Sequence, residues 1–139
     1  MVAIVVGSHG NFSKELVKSG EMICGIQENV GYVTFQTGES ADGLVAKYEE
    51  VLAKLDCKDG VLFMVDLFGG SPYNAASRIA INNDNMDIIA GVNLPMYLEI
   101  SQAMSFSTVN ELVNTALSTT IDTIKSFRKS MENIEMEEL

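Results

Sequence analysis

A single histidine, His9, occurs in 139 residues, and tryptophan is absent. Cationic residues are scarce: Lys and Arg total 9 against 19 Asp and Glu, a net charge of −10. Without a basic stripe there is no electrostatic footprint for nucleic acid, so no nucleic-acid partner is expected. The only two cysteines, Cys24 and Cys57, are far apart and lack metal-ligand spacing. They are expected to act as small apolar residues, with no metal and no cofactor implied. No apolar run approaches the roughly eighteen residues of a membrane span, and no basic-then-apolar leader opens the chain, so a cytoplasmic domain is expected. What is present is a core-forming composition, 47% hydrophobic, at a length suited to one domain. That domain is expected over 1–130, followed by an acidic tail over 131–139.

The order of elements alternates strand and helix, the pattern of a parallel sheet with helices on both faces. Strand one is expected from Val2 to Val6, bounded by Gly7-Ser8-His9-Gly10-Asn11. Helix one starts near Phe12, with Phe12, Leu16 and Ile23 on its buried side and Gly25 past its end. Strand two, Tyr32 to Gln36, alternates in the manner of an edge strand. Leu44, Val45, Tyr48, Val51, Leu52 and Leu55 recur at helical spacing, with Ser40 or Asp42 as cap. Strand three runs from Val61 to Val65, and helix three follows with Ser71 as N-cap and Pro72 at the first helical position. Strand four covers about Asp87 to Ala90, and Gly91 to Pro95 reads as a loop. Helices are expected over Met96 to Met104 and from Val109, the latter capped by Ser107 or Thr108. The segment from Ser118 to Lys125 has the threonines and isoleucines of a strand and the apolar spacing of a helix.

With strand two at an edge and the two richest apolar strands central, right-handed crossovers lead to the order 2-1-3-4. The winding reverses between strands one and three, and ligands bind at such a switch point, beyond the carboxyl ends of the strands. His9 and Asp66 both fall there. A neutral imidazole is a good nucleophile near pH 7 if its other nitrogen holds the proton and the ring is held in line. A carboxylate can do both. Gly69, Gly70 and Ser71 at the start of helix three offer close backbone approach, a hydroxyl and the positive end of the helix to an anion. Gly7 and Gly10 give similar room around His9. The constellation suits phosphoryl chemistry.

These stretches resemble the IIA domain of the mannose-type sugar phosphotransferase system. The resemblance rests on Ala3-Ile4-Val5-Val6-Gly7-Ser8-His9-Gly10, on Gly20 to Gly25 and Gln27 to Gly31, on Val61 through Asp66-Leu67-Phe68-Gly69-Gly70-Ser71-Pro72 to Ala76, and on Ala90 to Met96. It implies that His9 accepts a phosphoryl group on Nε2 from the phosphocarrier HPr and passes it to a IIB component, which serves a membrane IIC/IID complex. It implies that Asp66 holds the other ring nitrogen, with Ser71 beside the phosphate. It also implies a homodimer that exchanges a C-terminal antiparallel strand, which favours a strand for Ser118 to Lys125. The chain looks like a free-standing IIA component, peripheral to the membrane through its transporter.

Three other readings compete with this one. A receiver-like domain would carry the phosphoryl on Asp66, but no acidic pair follows strand one to hold a hard cation. A histidine phosphatase would need arginines around the phosphate, and Arg78 and Arg128 are the only two. A non-enzymatic binding module would use the same cleft without needing His9. An apolar protein-contact rim is expected at Phe68, Leu94 and Met96.

Overall fold

In the computed structural model, which describes residues 1–138, four parallel strands form one sheet in the order β2-β1-β3-β4. They are β1 (Ala3–His9), β2 (Val30–Phe35), β3 (Val61–Val65) and β4 (Met86–Ala90). The central pair is β1 and β3, and every residue of β3 is buried. Runs of Val, Ile, Leu and Phe form strands here because both faces of a parallel sheet are covered and nothing forces polar alternation. Strand β1 runs three residues beyond its expected end, since Ser8 and His9 keep their places opposite Thr34 and Phe35 of β2.

Two clusters of buried residues fill the space on either side of the sheet. Ile4, Val6, Leu62 and Met64 pack against α1 (Phe12–Cys24), α4 (Leu94–Ala103) and α5 (Val109–Thr119). Ala3, Val5, Val61 and Phe63 pack against α2 (Ala41–Leu52) and α3 (Ser71–Ala80). The fold is therefore a three-layer α/β sandwich in the expected order.

Several local expectations need correction. The buried face of α1 is Ser13, Leu16, Val17 and Gly20, while Phe12 and Ile23 are exposed. Its N-cap Asn11 makes no side-chain cap; instead the buried Ser8 hydroxyl accepts from Ser13 N at 2.6 Å. Helix α3 has Gly70 as N-cap, which places Ser71 as its first residue and Pro72 inside its first turn. Helix α4 starts at Leu94, two residues before its expected start, because the Asn93 side chain accepts from Met96 N. Of the two candidate caps of α2, Ser40 and Asp42, Ser40 makes the bond, and Thr108 and Glu111 cap α5 reciprocally.

The largest departure lies in the C-terminal region. The expected strand from Ser118 to Lys125 is not formed: Ser118 and Thr119 end α5, and Thr120–Thr123 make a 3-10 turn. A strand needs a neighbour to pair its backbone groups, whereas a helical turn pairs its own. Helix α6 (Phe127–Glu138) then carries the acidic residues of 131–138, and Leu139 lies outside the described residues. Among the described residues, β4 pairs only with β3, which leaves its outer edge open.

Candidate phosphoryl-transfer site at the carboxyl rim of the sheet

The register of β1 on β3 pairs Gly7 with Val65, so Asp66 emerges just past β3 beside the end of β1. One carboxylate oxygen, Asp66 Oδ2, accepts two hydrogen bonds from His9: the backbone N at 2.9 Å and the ring Nδ1 at 2.9 Å. An ionised carboxylate only accepts, so Nδ1 is the donor of this pair, and in a neutral ring so held Nε2 keeps its lone pair. The second oxygen, Asp66 Oδ1, is buried and has no hydrogen-bond partner among the described residues. The His9 side chain is 46% exposed and that of Asp66 21%. The pair is thus open to solvent on the histidine side.

Alternation along β1 decides which way the ring points. Ala3 and Val5 face α2 and α3, and Gly7 and His9 continue that row. Facing Gly7, Tyr48 of α2 is fully buried. A Cβ on Gly7 would lie 2.0 Å from the Tyr48 hydroxyl, so only glycine admits it there. That hydroxyl donates to Pro72 O at 2.9 Å and ties α2 to the first turn of α3. Burial pushes the phenol well above its usual range, and the Asp66 charge adds to this.

The start of α3 reaches the ring directly. A Cβ on Gly70 would stand 2.9 Å from His9 Cε1 and 3.6 Å from Nε2, so the backbone of this N-cap lies close to the Cε1–Nε2 edge of the ring. Ser71, next in the chain, is half-buried and its hydroxyl makes no hydrogen bond among the described residues. Gly69 sits at φ +77°, and its carbonyl accepts from Asn74 Nδ2 at 3.0 Å, which closes the loop onto the helix. Gly10 follows His9 directly in the chain. Its N–H donates to Phe35 O at 2.8 Å, so it offers space beside His9 and no spare donor to an anion.

Phe35 was not foreseen as part of this site. Its ring meets the imidazole edge-on, with centroids 5.9 Å apart and planes at 79°. A cleft of about 230 Å³ lies alongside, lined by His9, Gly10, Phe35, Gln36, Thr37 and Gly38. The signal was present in the alternation of strand two, but only the β1–β2 register puts Phe35 opposite His9. Of the expected apolar rim, Phe68 is 77% exposed and stacks near Tyr73, Leu94 is partly buried, and Met96 belongs to the core at 6% exposure. Among the described residues, no three His, Cys, Asp or Glu side chains cluster in a way that could hold a metal ion. No helix there is long and apolar enough to cross a membrane.

Residues 3–117 match the EIIA-man family, described as the PTS system fructose IIA component. The mannose-specific EIIAB component of the phosphotransferase system from Escherichia coli (strain K12) is 46% identical over 128 residues, 91% of this chain. The chain spans 40% of the length of that relative. The fructose-specific EIIA component of Bacillus subtilis (strain 168) is 38% identical over 114 residues, covering 82% of this chain and 78% of its own. Among solved structures, the phosphotransferase system component EIIA from Streptococcus agalactiae superposes with a TM-score of 0.83 at 26% identity, over 93% of this chain and 99% of that one. With the sheet order, the family match and these relatives in agreement, the chain belongs to the mannose-class IIA components of the sugar phosphotransferase system.

Proposed function

We propose that this chain relays a phosphoryl group through His9, from phospho-HPr to a IIB component that phosphorylates a mannose-class sugar entering through a IIC/IID complex. In each step one P–N bond forms as another breaks. His9 Nε2 attacks the phosphorus, the donor imidazole leaves with the bonding pair, and the reverse geometry delivers the group onward. The observation that carries the reading is the double hold of Asp66 Oδ2 on His9, which fixes the proton on Nδ1 and turns Nε2 outward. Once phosphorylated, the ring keeps its Nδ1 proton and becomes imidazolium-like, which the carboxylate then stabilises. Gly69, Gly70 and Ser71 at the N-terminus of α3 favour the incoming negative charge.

The scarcity of cationic groups supports a carrier, since a loosely held phosphoryl passes on readily. Phosphoryl transfer to Asp66 itself is disfavoured, because one oxygen holds His9 and the other is buried. We take 1–130 as the carrier domain, working in the cytoplasm and meeting the membrane only through its partners. The open outer edge of β4 is the place where a second copy would add to the sheet.

The test is labelling by phosphoenolpyruvate, enzyme I and HPr. An acid-labile, alkali-stable phosphoryl that is absent from His9→Ala is expected. Asp66→Ala should remain folded and transfer roughly 10²-fold more slowly, as loss of alignment at a reacting atom does. A label labile to both acid and alkali and retained without His9 would sink this reading and point to Asp66.

A further inference from the structure

The Asp66 hydrogen bond holds a His9 ring that is itself nearly half exposed, so further contacts bear on how firmly the ring keeps its orientation. A hydrogen bond open to water exchanges with solvent and holds a side chain only weakly, and His9 is nearly half exposed. Rotation about Cβ–Cγ would take Nδ1 off the carboxylate and move Nε2 from its outward position. Two further contacts oppose that rotation. Gly70 lies against Cε1 and Nε2 on one side, and the Phe35 ring stands nearly perpendicular to the imidazole on another.

Phe35 is well placed to act as a fixed wall. It is the parallel neighbour of His9 across β1 and β2, so both side chains leave the sheet on the same face. Its ring packs partly into the core under α2 and α3. Its carbonyl accepts from Gly10 N, which pins the turn after His9 to the end of β2. The wall therefore moves with the sheet and not with the surrounding loops.

We infer that Phe35 is a positioning residue for His9: its ring keeps the imidazole in the one orientation in which Asp66 holds Nδ1 and Nε2 faces the partner. The inference rests on the relay reading, which requires the same ring orientation for two different proteins in succession. An aromatic pair of this geometry corresponds to about a fivefold preference for the held orientation.

The test uses Phe35→Leu and Phe35→Tyr in the full chain. With a single histidine, 15N-imidazole NMR reports His9 without ambiguity. Phe35→Leu should shift the ring nitrogens away from the single Nδ1–H tautomer and lower kcat for transfer from phospho-HPr about fivefold, with KM unchanged. Phe35→Tyr, which keeps the ring, should restore both. Unchanged nitrogen shifts and kcat in Phe35→Leu would overturn the inference. So would a rise in KM alone, which would make Phe35 a docking contact. If Phe35→Leu does not fold, the wild-type chain decides: NOEs between the two rings support the wall, and their absence removes it. A wild-type chain that takes no phosphoryl on His9 would reject the relay, while the tautomer shift still decides whether Phe35 holds the ring.

Discussion

The carboxyl rim of the sheet and the C-terminal arm are both rich in apolar residues, yet the chain treats them differently. At the rim, Gly7 lies so close to Tyr48, and Gly70 to His9, that neither glycine has room for a methyl group, and Phe35 stands edge-on to the same imidazole. In the arm, Leu117, Ile121, Ile124 and Phe127 are each about two-thirds or more exposed. Apolar character therefore does not by itself make a core. Gly7 and His9 sit on β1, whose register is set by neighbours on both sides, while the arm follows α5 without strand pairing among the described residues. The rim is also the less tolerant of the two regions, because a side chain at Gly7 or Gly70 would press on a neighbouring ring.

The sharpest test of that contrast is Gly7→Ala. The added methyl would collide with the Tyr48 hydroxyl, and overpacking a closed site of this kind should cost about 3 kcal/mol. Urea unfolding followed by circular dichroism would measure it, and a cost near zero would mean that the rim is as pliable as the arm. Gly70→Ala separates function from stability at the same rim. Its methyl would press on a half-exposed ring that can turn away, so stability should change by less than about 1 kcal/mol. Transfer from phospho-HPr should nevertheless fall about tenfold as the ring leaves its aligned position.

Tyr48→Phe is a gentler probe. It removes one buried hydrogen bond, to Pro72 O, and should lower unfolding free energy by about 1 kcal/mol. Thermal unfolding of this variant beside Gly7→Ala and the double variant would show strong non-additivity, since both changes act on one contact. At the other end of the scale, Ile121→Ser with Ile124→Ser in the arm should stay within about 0.5 kcal/mol in the monomer. A larger loss would show that the arm is covered in solution, and sedimentation at rising concentration would reveal whether a second copy covers it.

Much of the fold was legible in the sequence because its signals are local and strong. Strand β3 falls on its apolar run, Ser40 caps α2, and the α/β alternation with one edge strand leads to the order 2-1-3-4. His9 and Asp66 were legible for the same reason: each ends a strand that had to be central. The errors came where a local signal had a tertiary competitor. Ser71 before Pro72 reads as a cap, but Gly70 takes that position with its backbone against His9. Phe12 and Ile23 read as core, yet α1 turns Ser13 to β2, where its hydroxyl donates to Val33 O, and Gly20 to the Tyr97 ring of α4. The threonines and isoleucines after Ser118 favour a strand only beside a neighbour that can pair with it.

The sequence by itself determined the class of fold, the order of the strands and the two residues at the switch point. Each of these follows from periodicity, chain direction and the handedness of crossovers, which are properties of short segments. Only the tertiary structure decided that one carboxylate oxygen holds His9 twice, that Phe35 and Gly70 wall in its ring, and that Tyr48 fills the space Gly7 leaves. Those facts depend on register and on helix placement to within about an ångström. Such placement is set by the packing of the whole core, because close-packed interiors transmit every contact to their neighbours.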